Sequence, residues 1–266
     1  MLNLKNLTIT LAQLGYIGGS NTSELARIIK RETLGDIVFL PENWLSTARK
    51  PIPIRDYESI ILSLYDEIQI PIFGGLNPVI DSDGLTRSIG LAVIDGIVYR
   101  VCEKIYPSKA TSERSIVKSG KLIRPITIDE WVIGCTACVD IFYPEISRIL
   151  VVLRSNIIYN PSSITIDRLD MWHSTLRSRA VENIVYTVGV NSTGVVYPDG
   201  RITGGSSAVY TPYGRTRVIL DMKPRVVTLK LEVEEIDLAI SKWAFREDFE
   251  REYMKVYEAI LNSQTS

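Results

Sequence analysis

The chain has 266 residues, of which 45% are apolar and 23% charged, ordinary globular usage in a length that suits one large α/β domain. Its 30 basic and 31 acidic residues leave a net charge of −1 with no long block of one sign, which argues against nucleic acid or an anionic membrane as the main partner. Three cysteines fit a secreted disulfide framework poorly, no apolar run reaches the roughly 18 residues of a membrane span, and MLNLKNLTITLAQLG lacks the order of a signal peptide, so a soluble cytoplasmic protein is expected.

Leu7, Ile9 and Leu11 alternate with Thr8, Thr10 and Ala12 as in a half-buried strand. A helix follows, with Asn21 as its cap, Glu24 three residues on, and Leu25, Ile28 and Ile29 on one face. The run DIVFL (36–40), ended by Pro41, reads as a buried strand. Tyr57, Ile60, Ile61 and Leu64 mark a second helix, IPIFGGL (70–76) a third strand, and 88–101 a hairpin turning at Asp95-Gly96. Residues 105–120 are polar and irregular, a loop long enough to suggest function. Residues 131–136 form a strand, 145–150 a short helix, 155–159 another strand, and 168–183 a longer helix striped by Leu169, Trp172, Leu176 and Ala180. Strands are expected near 185–191, 206–211 and 226–232. A final helix, about 244–262, carries Phe249, Tyr253, Val256, Tyr257 and Ile260. Helices alternating with strands point to a layered α/β domain, and no linker divides residues 1–266.

Three phrases each set one reactive side chain where a strand runs out into a loop: LPEN around Glu42, EKIYPS around Lys104, and GCTACVDIFYPE around Cys138. A thiol at a strand-to-helix junction, with Pro144 suited to the first helical turn, is accessible and lies beside backbone N–H groups able to hold an oxyanion. It needs a base, and Glu42, flanked by Leu40, Trp44 and Leu45, is placed to be partly desolvated and so useful in proton transfer. Lys104 opens the 105–120 loop and can stabilise both a thiolate and a tetrahedral oxyanion.

Together these phrases resemble the nitrilase (carbon–nitrogen hydrolase) superfamily. The matches are Pro41-Glu42, Lys104 with Pro107, and Cys138-Val139-Asp140 with Tyr143-Pro144-Glu145, followed in order by RAVEN (179–183), NSTG (191–194), GGSS (204–207) and TPYG (211–214). The resemblance implies a four-layer αββα sandwich that forms a homodimer or higher homo-oligomer. The aromatic C-terminal helix either packs on its own core or, given its terminal location, extends to a subunit interface. The resemblance also implies Cys138 as nucleophile, Glu42 as general base, Lys104 and the backbone N–H of Val139 as oxyanion donors, and Glu113 as a second glutamate in catalysis. Phe142 and Tyr143, just after the nucleophile, would line the substrate pocket. No metal or organic cofactor is implied, and the partner is a small amide or nitrile.

The chain departs from the family where an aromatic residue usually follows the nucleophile, here Val139, and where many members read D-x-R-F-P-E, here with Phe142 in place of arginine. Phe142 cannot pair with a substrate carboxylate, so an uncharged or aliphatic acyl group is expected. Asp140 favours an amide over a nitrile. ω-Amides of dicarboxylic acids, aliphatic amides, N-carbamoyl amines and nitriles all stay open. Rival readings use other residues: a Cys135–Cys138 dithiol redox site, a zinc site of Cys102, Cys135, Cys138 and His173, a hydrolase built on His173, or a binding protein on the same scaffold. Arg179 and Glu182, three apart in RAVEN, are expected to pair on their helix.

Overall fold

The structure, a computed structural model, describes residues 5–18, 22–32 and 34–263. The expected cap at Asn21 lies outside the described residues, as do the side chains of Tyr253 and Tyr257. The first half runs β1 (Leu7–Gln13), α1 (Thr22–Ile29), β2 (Ile37–Phe39), β3 (Ile52–Pro53), α2 (Ile54–Ile68), β4 (Ile72–Ile80), β5 (Thr86–Ile94) and β6 (Ile97–Glu103). The second half runs β7 (Ile126–Ile128), β8 (Trp131–Cys135), α3 (Pro144–Val152), β9 (Ile157–Ser162), α4 (Leu169–Asn183) and β10 (Tyr186–Asn191), then β11 (Thr193–Val196), β12 (Ile202–Gly204), β13 (Ala208–Tyr210), β14 (Thr216–Ile219) and β15 (Arg225–Leu231). Helices α5 (Val233–Lys242) and α6 (Phe245–Ser263) follow.

One large sheet has the order β15-β1-β2-β4-β5-β6, with β3 attached to β4, the other large sheet the order β14-β13-β10-β9-β8-β7, and β11 pairs with β12 in a small two-stranded sheet. The two large sheets face each other. Alternation along each strand divides the side chains: Ile9, Leu11 and Phe39 point to the interior between the sheets, whereas Ala12, Val38 and Leu40 point to α1 and α2. Between the sheets Phe39, Phe73 and Tyr159 meet at ring-centroid distances of 4.7–5.7 Å. Outside the first sheet α2 buries Ile54, Tyr57, Ile61, Leu64 and Ile68, the spacing of one helical face. Outside the second, Trp172 and Leu176 of α4 lie so close over β10 that a Cβ at Gly189 would come within 2.7 Å of both. The result is the expected αββα sandwich.

The hairpin turns where the sequence places it, with Asp95 and Gly96 both at positive φ and Ile94 paired with Ile97. Several elements differ. Strand β4 continues through Pro78 to Ile80; β2 pairs with it only at Ile72 and Phe73, so no β2 carbonyl demands the N–H that Pro78 lacks. Strands β7, β11, β12 and β14 span only three or four residues, too few for a periodic signal. Helix α5, which buries Val233, Ile236 and Ala239, stands between β15 and the expected terminal helix.

Candidate active site

Glu42 owes its place to a glycine pair on the neighbouring strand. Leu76 N–H donates to the Pro41 carbonyl, and that oxygen comes so near β4 that a Cβ on Gly75, itself at φ +79°, would sit 1.9 Å away. Only glycine fits this approach. Trp44 then donates through Nε1 to the Gly74 carbonyl at 2.7 Å, Asn43 takes a positive φ, and Tyr159 of the opposite sheet donates its hydroxyl to the Leu40 carbonyl. The chain is thus pinned on both sides of Glu42, whose side chain is 1% exposed.

Lys104 follows β6 directly, its N–H donating to Ser88 at 2.9 Å. Its ammonium donates to Glu42 Oε1 at 2.6 Å and to both oxygens of Glu113 at 2.9 Å. Glu113 opens a short 3-10 turn (Glu113–Ser115) and also accepts the Ser108 N–H, so the irregular 105–120 loop is folded around this carboxylate. One ammonium therefore serves two carboxylates in a nearly dry site.

Cys138 begins a 3-10 turn (Cys138–Phe142) in a left-handed conformation, φ 49°, unusual for a residue with a side chain. Its surroundings over-determine that geometry. Asn160 Nδ2 donates to the carbonyls of Thr136 and Cys138, Trp172 Nε1 holds the Asn160 oxygen at 2.8 Å, and Arg179 Nε donates to the Ile141 carbonyl. Asp140 accepts the N–H groups of Ile105 and Tyr106 at 2.8 and 3.0 Å, tying the cysteine turn to the lysine loop. Arg179 also pairs with Glu182 at 2.7 Å, as their spacing predicts.

Charge and burial oppose one another at this point. Burial pushes the Glu42 carboxyl above its ordinary range; the Lys104 charge pulls it back and the Glu113 charge pushes it further up. Burial disfavours the Lys104 ammonium, but Glu113 and Glu42 outweigh it and hold that group well above the usual lysine value. Burial also pushes the Cys138 thiol well up, Glu42 adds to the rise, and Lys104 with the Ser163 backbone opposes it. Burial and the nearby Glu42 thus favour a neutral thiol on the same wall as a carboxylate, an arrangement suited to proton transfer coupled with attack rather than to a standing thiolate. Asp140 is raised by burial to about 6, against the pull of its two backbone donors.

Glu42, Lys104, Glu113, Cys138, Val139 and Phe142 line one cavity of about 50 Å³, bringing six of the seven sequence-selected residues together. Tyr143 is the exception: its ring stacks on Tyr106 at 4.1 Å and is not part of the cavity wall, because the turn that presents Cys138 directs position 143 to the start of α3. Sequence reasoning missed Tyr197, Met171, Arg168 and Arg201 on the same wall. Arg201 is held by Asp199 and donates to the Ala110 carbonyl, while Arg168 has, among the described residues, a long 3.6 Å pairing with Asp167. A second cavity of about 220 Å³ adjoins, sharing Thr111, Glu113 and Tyr197.

The rival constellations do not assemble. Among the described residues no group of three or more His, Cys, Asp or Glu is placed to hold a metal ion. His173 lies half-buried between the Tyr210 hydroxyl and Ser206 Oγ, each at 2.9 Å, with burial lowering its pKa. The Cys135 thiol meets Cys102 instead of Cys138. Among the described residues no helix is long and apolar enough to cross a membrane.

Comparison with known proteins places the chain in a family. A hydrolase encoded in the agr operon of Staphylococcus aureus is 24% identical over 212 residues, covering 76% of this chain and 80% of the relative. A 2-oxoglutaramate amidase of Bacillus subtilis is 30% identical over 98 residues, 37% of either chain. Among solved structures, a carbon–nitrogen hydrolase superfamily protein of Xanthomonas campestris with an arsenic adduct in its active site superposes with a TM-score of 0.82 at 19% identity, covering 92% of this chain and 97% of its own. The profile of the carbon–nitrogen hydrolase family matches residues 20–240, and the chain belongs to that family of enzymes.

Proposed function

We propose that this hydrolase is a thiol amidase that cleaves the C–N bond of a small amide through a Cys138 thioester. The observation that carries the reading is the Lys104 ammonium, held between Glu42 and Glu113 on the wall that also carries the Cys138 thiol. Glu42 takes the thiol proton as the sulfur attacks the amide carbon. Lys104 and the Val139 N–H stabilise the oxygen that becomes negative. Protonated Glu42 gives its proton to the departing nitrogen, ammonia or amine leaves, and a thioester remains. Water, deprotonated by Glu42, attacks the thioester; the acid departs and Cys138 recovers its proton. Glu113 acts on Lys104, fixing the ammonium through both oxygens.

For the substrate, the fold changes the expectation drawn from Phe142. Arg168, from the segment after β9, brings a cation to the cavity wall that the residues next to Cys138 do not supply. With Arg201 already occupied by Asp199, Arg168, whose pairing with Asp167 is long and exposed, is the wall cation among the described residues best placed to meet a carboxylate, which favours an ω-amide of a short dicarboxylic acid over a neutral amide. The Bacillus subtilis relative is named for such an amide. The neighbouring apolar and basic cavity leaves room for longer amides. The exposed Leu238 of α5, Trp243 just after it and Val256 of α6 support the homodimer reading, which the mass in solution tests.

Ammonia release by wild type and Cys138→Ala decides the main reading, over a panel of ω-amides, aliphatic amides, N-carbamoyl amines and the matching nitriles. Release by wild type alone is expected, strongest with ω-amides. Equal release by both proteins removes Cys138 from the mechanism. Turnover of nitriles alone assigns the chain a nitrilase activity instead.

A further inference from the structure

Two of the three cysteines take no part in that mechanism, and they lie together. Cys102 is the penultimate residue of β6 in the first sheet and Cys135 ends β8 in the second; their sulfurs meet in the interior at 2.8 Å, against about 2.05 Å in a disulfide bond. Both are free thiols, each 1% exposed. The position is built. Gly90, the cross-strand partner of Cys102, could not carry a side chain there, since its Cβ would fall 2.6 Å from the Cys102 sulfur. Strands β6 and β8 approach each other here from opposite sheets, and the two sulfurs are in direct contact.

From this geometry we propose that Cys102 and Cys135 are a reversible disulfide pair that cross-links the two sheets. Oxidation by hydrogen peroxide balances in two steps. One thiol sulfur takes an oxygen from the peroxide as the O–O bond breaks, giving a sulfenic acid and one water. The second thiol sulfur then displaces the sulfenic hydroxyl, the S–S bond forms, and a second water leaves. Both sulfurs are oxidised and both peroxide oxygens reduced. Thiol–disulfide exchange with a small dithiol reverses the step. Burial makes both directions slow, so the pair reports sustained oxidation rather than brief exposure.

The location gives the bridge a consequence. Cys102 stands two residues before Lys104 and Cys135 three before Cys138, so the bond fastens together the strand ends that carry the ammonium and the thiol of the cavity. The residues joined are 33 apart in sequence. Closing a loop of that size raises thermal stability, here by roughly 5–10 °C in Tm. The pairing also separates this proposal from a Cys135–Cys138 redox motif, in which the thiol that shares the cavity wall with Glu42 would be consumed.

The test uses Cys138→Ala protein, so that the cavity thiol does not compete and no hydrolytic activity is needed. Folded protein is treated with hydrogen peroxide or with dithiothreitol, denatured, alkylated and digested without reduction. The expected product is a single Cys102–Cys135 linked peptide, 2 Da lighter than its two parts. Its formation raises Tm by several degrees, and dithiothreitol reverses both changes. Cys102→Ser in the same background should give neither; Cys135→Val serves if that variant does not fold. Both thiols still alkylated in full, after a peroxide exposure that oxidises an added small thiol completely, overturn the proposal. So do oxygen adducts without a link, or links only between separate molecules.

Discussion

At the base of the cavity, Glu42, Lys104 and Glu113 are almost wholly buried and hold one another at 2.6–2.9 Å; at its rim, Arg168 is about half exposed and touches its nearest carboxylate only at 3.6 Å. The base is held by backbone: the Gly75 approach, the strand end before Lys104, the turn at Cys138. The rim is held by loops and by solvent. A buried array of charges works only if complete, because removing one leaves the others desolvated and unpaired. A rim cation can change with little cost to the fold. In the proposed mechanism the base therefore carries reaction type and the rim carries substrate choice, and substitutions in the two zones should differ in kind as well as in size.

The largest effect belongs to the nucleophile. Cys138→Ala should lower kcat by about 10⁴-fold or more, with unchanged circular dichroism, as loss of a nucleophile from a cooperating set does elsewhere. Single-turnover trapping of an acyl-enzyme by mass spectrometry checks the same step. Residual turnover above one hundredth of wild type would place the chemistry on another group.

Lys104→Met comes next. It removes the oxyanion donor of the proposed mechanism, worth about 10²–10³ in kcat, and leaves Glu42 and Glu113 buried without their cation. Breaking such an array destabilises by roughly 3–5 kcal/mol, which urea unfolding measures. A variant that loses activity but keeps its stability would show that the ammonium was not holding the base together.

Glu113→Gln tests the electrostatics with a smaller expected loss, about 10²-fold in kcat/KM. In the proposed mechanism activity requires ionised Glu42, whose pKa burial raises, so the acid limb of kcat/KM should lie above the usual glutamate value of about 4.3. The Glu113 charge adds to that rise, and Glu113→Gln should therefore shift the limb to lower pH. A limb that moves upward would contradict the sign of this coupling.

Asp140→Asn probes the join between the cysteine turn and the lysine loop. The carboxylate accepts two N–H groups, and an amide nitrogen would face one of them, so kcat should fall about tenfold. Stability gives an independent signal. Asp140 is raised from 3.8 to about 6, so the folded state binds its proton more tightly than the unfolded chain does. That contribution is fully present below about pH 4 and is lost as pH rises through 6, by up to about 3 kcal/mol. In the asparagine variant this part of the pH dependence should vanish.

How far the sequence disclosed the molecule follows the same division. Glu42, Lys104 and Cys138 were legible because each sits at the end of an apolar strand beside a proline or a turn, where local signals are strongest. The layered fold was legible from its long elements. Asn160 and Trp172 were not, although they clamp the Cys138 turn, because that contact joins β9 to α4 and no spacing along the chain reports it. Tyr143 was misplaced because a 3-10 turn, rather than an extended strand, carries the chain past Cys138 and rotates the next side chain out of the cavity. Helix α5 has its buried residues three apart, yet at ten residues it falls between a strand and a more aromatic helix that drew the assignment.

Arg168 was illegible for the same reason and offers the mildest test. It reaches the cavity because β9 crosses over into α4, a tertiary event with no motif. Arg168→Leu removes the charge while keeping an apolar stem, and should raise KM for ω-amides about tenfold, leave their kcat near wild type, and leave neutral amides of equal length untouched. The ω-amide preference should also weaken with added salt, since the arginine is exposed and its attraction is screened. An equal fall for acidic and neutral amides would instead assign Arg168 to holding the loop in place. The substrate carboxylate would then belong with the adjoining cavity, where Arg49 and Lys50 supply the charge.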